Sequence, residues 1–169
     1  MQLAALKHRT ESEDCFVIDH SHVKIRLYTA KDDVEKVIVH YTDNYLPPKQ
    51  AKELEMEKIG SGQVNDYWGA TLTAPYHRIK YTFEIIGKDG SHVLFGDRSI
   101  EKFSDKKLRE DGMYFKVPYF HDIDRIKTPK WLKDIVWYQI FPERFANGDK
   151  SNDPANVKEW NPEDHPGRE

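Results

Sequence analysis

Four short oxygen-bearing side chains, Asn147, Asp149, Asn152 and Asp153, fall within seven residues, with Gly148 free to make a sharp bend among them. Hard cations such as Ca²⁺ take oxygen ligands from carboxylates, amide carbonyls and the backbone, which suits this set. Asn, Asp, Gly and Ser are also the usual residues of an ordinary turn, and on spacing alone the loop reads as one. Tyr45 closes the run Tyr41-Thr-Asp-Asn-Tyr45, just before Pro47-Pro48. A tyrosine on such a loop can offer a sugar its flat face and a hydroxyl, or it can simply pack its own loop. His20 and His22 alternate as a strand pair would, and a His-x-His pair can begin a metal site, but no third ligand accompanies it in the sequence. Asp19-His20-Ser21 is not a catalytic triad, because triad groups converge in space rather than in sequence. Tyr67, Trp68 and Tyr81 are the further rings a sugar could stack on.

The bulk properties narrow the classes. A net charge of −3 over 169 residues, with 33% charged and 38% hydrophobic residues, gives no general attraction for nucleic acid or anionic membrane. No apolar run reaches the length of a membrane-spanning helix. The start, Met1-Gln-Leu-Ala-Ala-Leu-Lys-His-Arg9, has no apolar stretch long enough for a secretion signal. Cys15 is the single cysteine, so no intramolecular disulfide forms, which favours a reducing compartment. The expectation is a cytoplasmic protein.

The elements that must position these residues are short strands. Cys15–Ile18 is a first strand. His22–Thr29 alternates strictly, with Val23, Ile25 and Leu27 on one face, as a half-buried strand does. Lys31–Asp33 turns the chain into a strand over Val34–Tyr41. Asp43–Lys49 breaks the pattern with two prolines, which cannot join a central ladder. Ala51–Ile59 has helix formers yet alternates with period two, and we expect an edge strand. Asp66–Thr73 carries Trp68, Ala70 and Leu72 on one face; Ile79–Ile86 carries Ile79, Tyr81, Phe83 and Ile85, so Trp68 and Tyr81 belong to the core while Tyr67 points outward. Gly87-Lys-Asp-Gly90 is a hairpin turn into Ser91–Phe95, and Tyr114–Val117 is the last strand. Ser104–Glu110 is the one short helix, too polar to organise a core. The result is an all-β, immunoglobulin-like antiparallel β-sandwich over 1–122. A polar, proline-bounded linker follows at 123–134. Ile135–Phe141 then reads as a buried strand opening an α/β domain.

The string Val136-Trp-Tyr-Gln-Ile-Phe-Pro-Glu-Arg-Phe-Ala-Asn-Gly-Asp149 closely resembles the entry into the catalytic barrel of the α-amylase family, in the subgroup of cyclomaltodextrinase, neopullulanase and maltogenic amylase. The residues before it resemble that subgroup's immunoglobulin-like, starch-binding-type N-terminal domain. The resemblance implies an N-terminal fragment of an α-glucan hydrolase, with 135–169 as the truncated start of a (β/α)₈ barrel. Retaining glycoside hydrolysis needs two carboxyl groups flanking the bond, and these come from later barrel strands, so the chain by itself is expected to be inactive. The resemblance also implies that Asn147, Asp149, Asn152 and Asp153 are Ca²⁺ ligands in the whole enzyme. Because further ligands lie beyond Glu169, binding to this chain alone is expected to be weak or absent. It places Tyr45 at the position that reaches the partner subunit's cleft in a homodimer formed through the N-terminal domain, with α-glucans and cyclodextrins as substrates. Glu143 and Arg144 are read as a structural ion pair, Trp131 and Trp137 as packing between linker and barrel. Residues beyond about 134 are expected to lack the neighbours they would fold against. A stand-alone starch-binding module is the alternative, and it would need an exposed row of aromatics.

Overall fold

Period-two alternation over His22–Ala30 and Asn65–Thr73 produces two long strands whose registered partners run from His22 opposite Thr73 to Ala30 opposite Asn65. The computed structural model describes residues 1–11, 13–123, 125, 127–141 and 147–157, and it divides into two units, Met1–Lys127 and Thr128–Glu169. The first unit holds strands β1 (Cys15–Val17), β2 (His22–Ala30), β3 (Val34–Thr42), β4 (Lys52–Glu55), β5 (Glu57–Ser61), β6 (Asn65–Thr73), β7 (Ile79–Gly87), β8 (His92–Phe95), β9 (Ile100–Lys102) and β10 (Phe115–Val117), with one short helix, α1 (Asp105–Leu108). One sheet has the order β1-β2-β6-β5. The other runs β4-β3-β7-β8-β9, and β10 pairs the first residues of β7. All pairings are antiparallel, and the fold is an immunoglobulin-like β-sandwich.

The core lies between the sheets. Val23, Ile25, Leu27 and Leu72 from one sheet meet Val37, Val39, Phe83 and Ile85 from the other, all fully buried. Burying such side chains is worth roughly 1.5–3 kcal/mol each. Trp68 joins them and donates its indole N–H to Thr29 Oγ1 at 3.1 Å, so its polar edge is satisfied. Tyr81 is fully buried as well, and both rings belong to the core as their strand phases require. Tyr67 lies on the other face of β6, edge-on against Tyr28 with ring centroids 5.0 Å apart.

His8 enters this core from the N-terminal segment. Its Nδ1 donates to the Arg26 carbonyl at 2.7 Å, which leaves Nε2 to accept from the Tyr81 hydroxyl at 2.8 Å. The rings of Phe83 and Phe115 stand edge-on at 4.9 Å. Burial among them pushes the His8 imidazole down to about 4, against the hydrogen bond to Arg26, which favours the charged form.

Three expectations from the pattern are corrected. Ala51–Ile59 is not one edge strand but two, on different sheets: β4 pairs β3 and β5 pairs β6. The crossing point is Met56, 3% exposed, whose N–H donates to the Val37 carbonyl while its side chain joins the core. The alternation does not report burial here, since Leu54 is exposed; the one buried residue, Met56, between two mostly solvated strands marks a change of sheet. Second, β7 is buried on both faces: Lys80, Thr82 and Glu84, which alternation assigns to solvent, are buried too. They are tolerated because each is paired. Lys80 meets Asp111, Thr82 donates to the Phe95 carbonyl, and Glu84 takes hydrogen bonds from His40 at 2.6 Å and His92 at 2.7 Å. The segment after β9 covers part of this face, with Met113 and Tyr114 buried and Leu108 of α1 packed against them. It comes so close to Gly96, whose Cβ would collide with the Met113 carbonyl, that this position accepts no side chain.

The third correction concerns the second unit. Ile135–Phe141 forms no strand: a 3₁₀ turn spans Lys130–Asp134, and the following residues carry no ladder hydrogen bonds. Val136, Trp137 and Tyr138 are 95%, 73% and 76% exposed. Among the described residues they pair with no strand, and an isolated strand is not stable in water. Glu143 and Arg144 lie outside the described residues.

Candidate functional site

β3 ends at Thr42, and the loop that follows, closed by Pro47-Pro48, which cannot join a ladder, presents Tyr45 to solvent, 81% exposed. An exposed ring is ordinarily free to change rotamer. Here it is held. Asp43 Oδ1 accepts the Tyr45 backbone N–H at 2.9 Å, an Asx turn that fixes the loop. The same carboxylate holds Arg78, with Nε donating to Oδ1 at 3.1 Å and lying 2.9 Å from Oδ2. The Arg78 guanidinium sits over the Tyr45 ring, 4.4 Å from its centroid. It also lies 5.6 Å from the ring of Tyr76, which is 61% exposed. A guanidinium over a ring face is worth about 0.5–1 kcal/mol at an exposed site. The pair is therefore a modest clamp, reinforced by its bond to Asp43.

The surrounding loops share one end of the second sheet. Thr42 is opposite Lys80, so the Tyr45 loop and the turn before β7 lie side by side. Val117 at the end of β10 is opposite Ile79, and its carbonyl accepts from Asn44 Nδ2 at 2.9 Å. That brings in Tyr119, 52% exposed, stacked on His77 at 5.3 Å. Three exposed tyrosines thus collect at one end of the sandwich: Tyr45, Tyr76 and Tyr119. Tyr76, Tyr119 and Arg78 are hard to read as partners of Tyr45 from the sequence, since the turn before β7 and the segment after β10 meet the Tyr45 loop only in the fold. The one available signal was the proximity of Tyr76 and Arg78 to the start of a strong strand pattern.

The Asn147–Asp153 loop is a compact turn built on itself. Asn147 Oδ1 accepts the Asp149 N–H at 3.1 Å, and Asp149 Oδ1 accepts the Ser151 N–H at 2.9 Å and its hydroxyl at 2.7 Å. Asn147 Nδ2 donates to Asp153 Oδ1 at 2.6 Å. The Asp149 carboxyl is held below its ordinary range by the Ser151 hydroxyl and backbone N–H. These donors are the right kind for a hard cation, but fall short of the six to eight oxygens Ca²⁺ takes, and several are turned to bonds within the loop. Asn152 caps no contact of its own in this arrangement beyond lying in the 3₁₀ turn Lys150–Asn152. Among the described residues no group of three or more His, Cys, Asp or Glu side chains is gathered as a metal site.

His20 and His22 do not share a strand face, contrary to the alternation. His20 lies in the bend before β2, and His22 bonds to Asp19 at 2.9 Å. The chain turns at Asp19-His20-Ser21 through the Asp19 carboxylate, which accepts the Ser21 N–H, so the spacing served the turn.

A two-sheet antiparallel sandwich with Tyr45, Tyr76 and Tyr119 exposed at one loop end has the architecture of an immunoglobulin-like module. The family model described as "Alpha amylase, N-terminal ig-like domain" matches residues 1–121, and the chain belongs to that family. It is 35% identical over 167 residues to the intracellular maltogenic amylase of Bacillus subtilis, covering 97% of this chain and 28% of that protein. It is 37% identical over 161 residues to neopullulanase 2 of Thermoactinomyces vulgaris, covering 95% and 27%. A solved cyclomaltodextrinase superposes with a TM-score of 0.75 at 30% identity, over 95% of this chain and 27% of that one. The chain therefore spans a little over a quarter of the length of the relatives it matches. No helix among the described residues is long and apolar enough to cross a membrane.

Proposed function

We propose that this chain is the N-terminal part of a cytoplasmic α-glucan hydrolase of cyclomaltodextrinase or neopullulanase type, which cleaves α-1,4 and some α-1,6 glucosidic bonds of cyclodextrins, pullulan and maltooligosaccharides. The chain's own role is to support a homodimer and to shape the substrate cleft of the partner subunit, with Tyr45 as the residue that enters it. The observation that carries this reading is the clamped exposure of Tyr45. A ring left in water but fixed by Arg78 and Asp43 loses little freedom when a sugar or a partner covers it. The names of the relatives agree with the substrate class.

In the complete enzyme, Asn147, Asp149, Asn152 and Asp153 contribute to a Ca²⁺ site whose work is to order the loop. Four side chains fall short of the six to eight oxygens Ca²⁺ takes, so this chain alone binds the ion weakly or not at all. The catalytic carboxylates belong to the barrel, and the chain alone does not hydrolyse its substrate.

The test is steady-state kinetics of the complete hydrolase carrying Tyr45→Ala. Its kcat/KM on cyclodextrin should fall about tenfold, while that on a short linear maltooligosaccharide changes little; one tenfold step corresponds to about 1.4 kcal/mol of binding. Unchanged kinetics on both substrates would remove Tyr45 from the cleft. A stand-alone glucan-binding module is the second reading, favoured by the clustering of Tyr45, Tyr76 and Tyr119. It requires the isolated chain to bind β-cyclodextrin measurably.

A further inference from the structure

A second constellation at the same end of the domain points to different chemistry. His20 and His77 are 57 residues apart in sequence, yet their Nε2 atoms face each other at 3.0 Å, with the rings 83° apart. The two turns that carry them are already joined, because the Ala74 N–H donates to the Ser21 carbonyl at 2.6 Å.

His77 is held in an uncommon conformation. Its φ is +57°, and among the described residues only Asp32 is another non-glycine residue at positive φ. Such backbone outliers persist where the surroundings over-determine them. Here the Phe120 N–H donates to the His77 carbonyl at 2.8 Å. The imidazole lies nearly parallel to Phe120, 13° at 5.5 Å, and to Tyr119, 19° at 5.3 Å. The ring is fixed from both the backbone and the stacking side, with Nε2 aimed at His20.

An imidazole–imidazole hydrogen bond in water contributes little, because each nitrogen exchanges it for one to solvent. It gives no reason for holding one ring in a strained backbone. Metal ligation does. With metal–nitrogen bonds of about 2.0–2.1 Å, two ligands at a right angle lie about 2.9 Å apart and at the tetrahedral angle about 3.4 Å. The observed separation falls inside that range.

We propose that His20 and His77 form a two-histidine site for a divalent transition-metal ion, Zn²⁺, Ni²⁺ or Cu²⁺, which ties the turn before β2 to the turn before β7. Neutral imidazole suits these ions and not Ca²⁺, which takes oxygen ligands. Among the described residues no third His, Cys, Asp or Glu completes the set, so solvent fills the remaining positions and the ion is exchangeable. The site is independent of the Asn147–Asp153 loop and of any reading of Tyr45.

The test is calorimetric and thermal titration of the untagged 169-residue chain with Zn²⁺, Ni²⁺ and Cu²⁺, with Ca²⁺ as the hard-ion control. The expected result is one saturable transition-metal site per chain. Saturating metal should raise the melting temperature by about 5 °C, as binding to the folded state alone requires. His20→Ala and His77→Asn should each abolish both effects, and His22→Ala should keep them. Asparagine tolerates the left-handed backbone at 77, so His77→Asn separates loss of a ligand from loss of the turn. Absence of saturable binding by the parent chain, or binding that survives in both His20→Ala and His77→Asn, would overturn the site.

Discussion

Two stretches of this chain look alike in one respect and behave oppositely. Ile79–Gly87 alternates apolar with polar residues, including a lysine and a glutamate, and is the most deeply buried strand of the molecule. Ile135–Phe141 carries one polar residue among six apolar ones, and its side chains stand in solvent without a ladder. The difference is not propensity, since both are rich in β-branched and aromatic residues. The first has β3 on one edge and β8 and β10 sharing the other, with Asp111, His40 and His92 to pair its polar groups. The second pairs with no strand among the described residues. A strand is made by its neighbours.

The largest effect that would break this comparison is a cavity. Phe83→Ala in β7 should destabilise the chain by about 3–5 kcal/mol, whereas Trp137→Ala should change stability by less than about 0.5 kcal/mol. Urea denaturation of both variants measures it, and equal losses would mean that the exposed stretch packs after all.

A second effect follows from His8, buried beside Tyr81 and Phe83. Its folded-state pKa of about 4 lies below the usual 6.5, so between those values the unfolded chain binds the extra proton. Stability is therefore complete above about pH 6.5 and is lost as pH falls toward 4, by up to about 3 kcal/mol. Melting curves from pH 7 to pH 4 should show this slope, and His8→Gln should flatten it. The exposed stretch at 135–141 contributes nothing to it.

The smallest effect concerns the clamp on Tyr45. Arg78→Ala in the complete hydrolase should raise KM on cyclodextrin by less than Tyr45→Ala does, consistent with about 1 kcal/mol for one exposed guanidinium–ring contact, and leave kcat unchanged. Arg78→Lys should rescue little, because an ammonium lacks the planar fork that spans both Asp43 and the ring. Full rescue by lysine would reduce Arg78 to a point charge.

Most of the sandwich was legible from residues alone, because alternation reports directly which face of a strand meets a core. It failed where a second layer intervened. Lys80, Thr82 and Glu84 look like solvent positions until the segment carrying Asp111, Met113 and Tyr114 and the flanking histidines are placed beside them. Strand β9 was missed because Ile100–Lys102 is too short to show a period. Met56 hid a change of sheet inside an unbroken pattern. Of the proposed site, the resemblance singles out Tyr45, which the structure leaves exposed; its clamp has no sequence signature, since Asp43 and Arg78 meet only after two loops converge. The His20–His77 contact had no sequence signature at all, and alternation pointed instead to His22.

The central claim is that the sandwich holds the hydrogen-bonded ladders of this chain, and that Ile135–Phe141 forms no strand. Amide hydrogen exchange on the 169-residue chain tests it most directly. The expected result is strong protection across Ile79–Ile86 and exchange near the unstructured rate across Ile135–Phe141. Comparable protection in the two stretches would contradict the account.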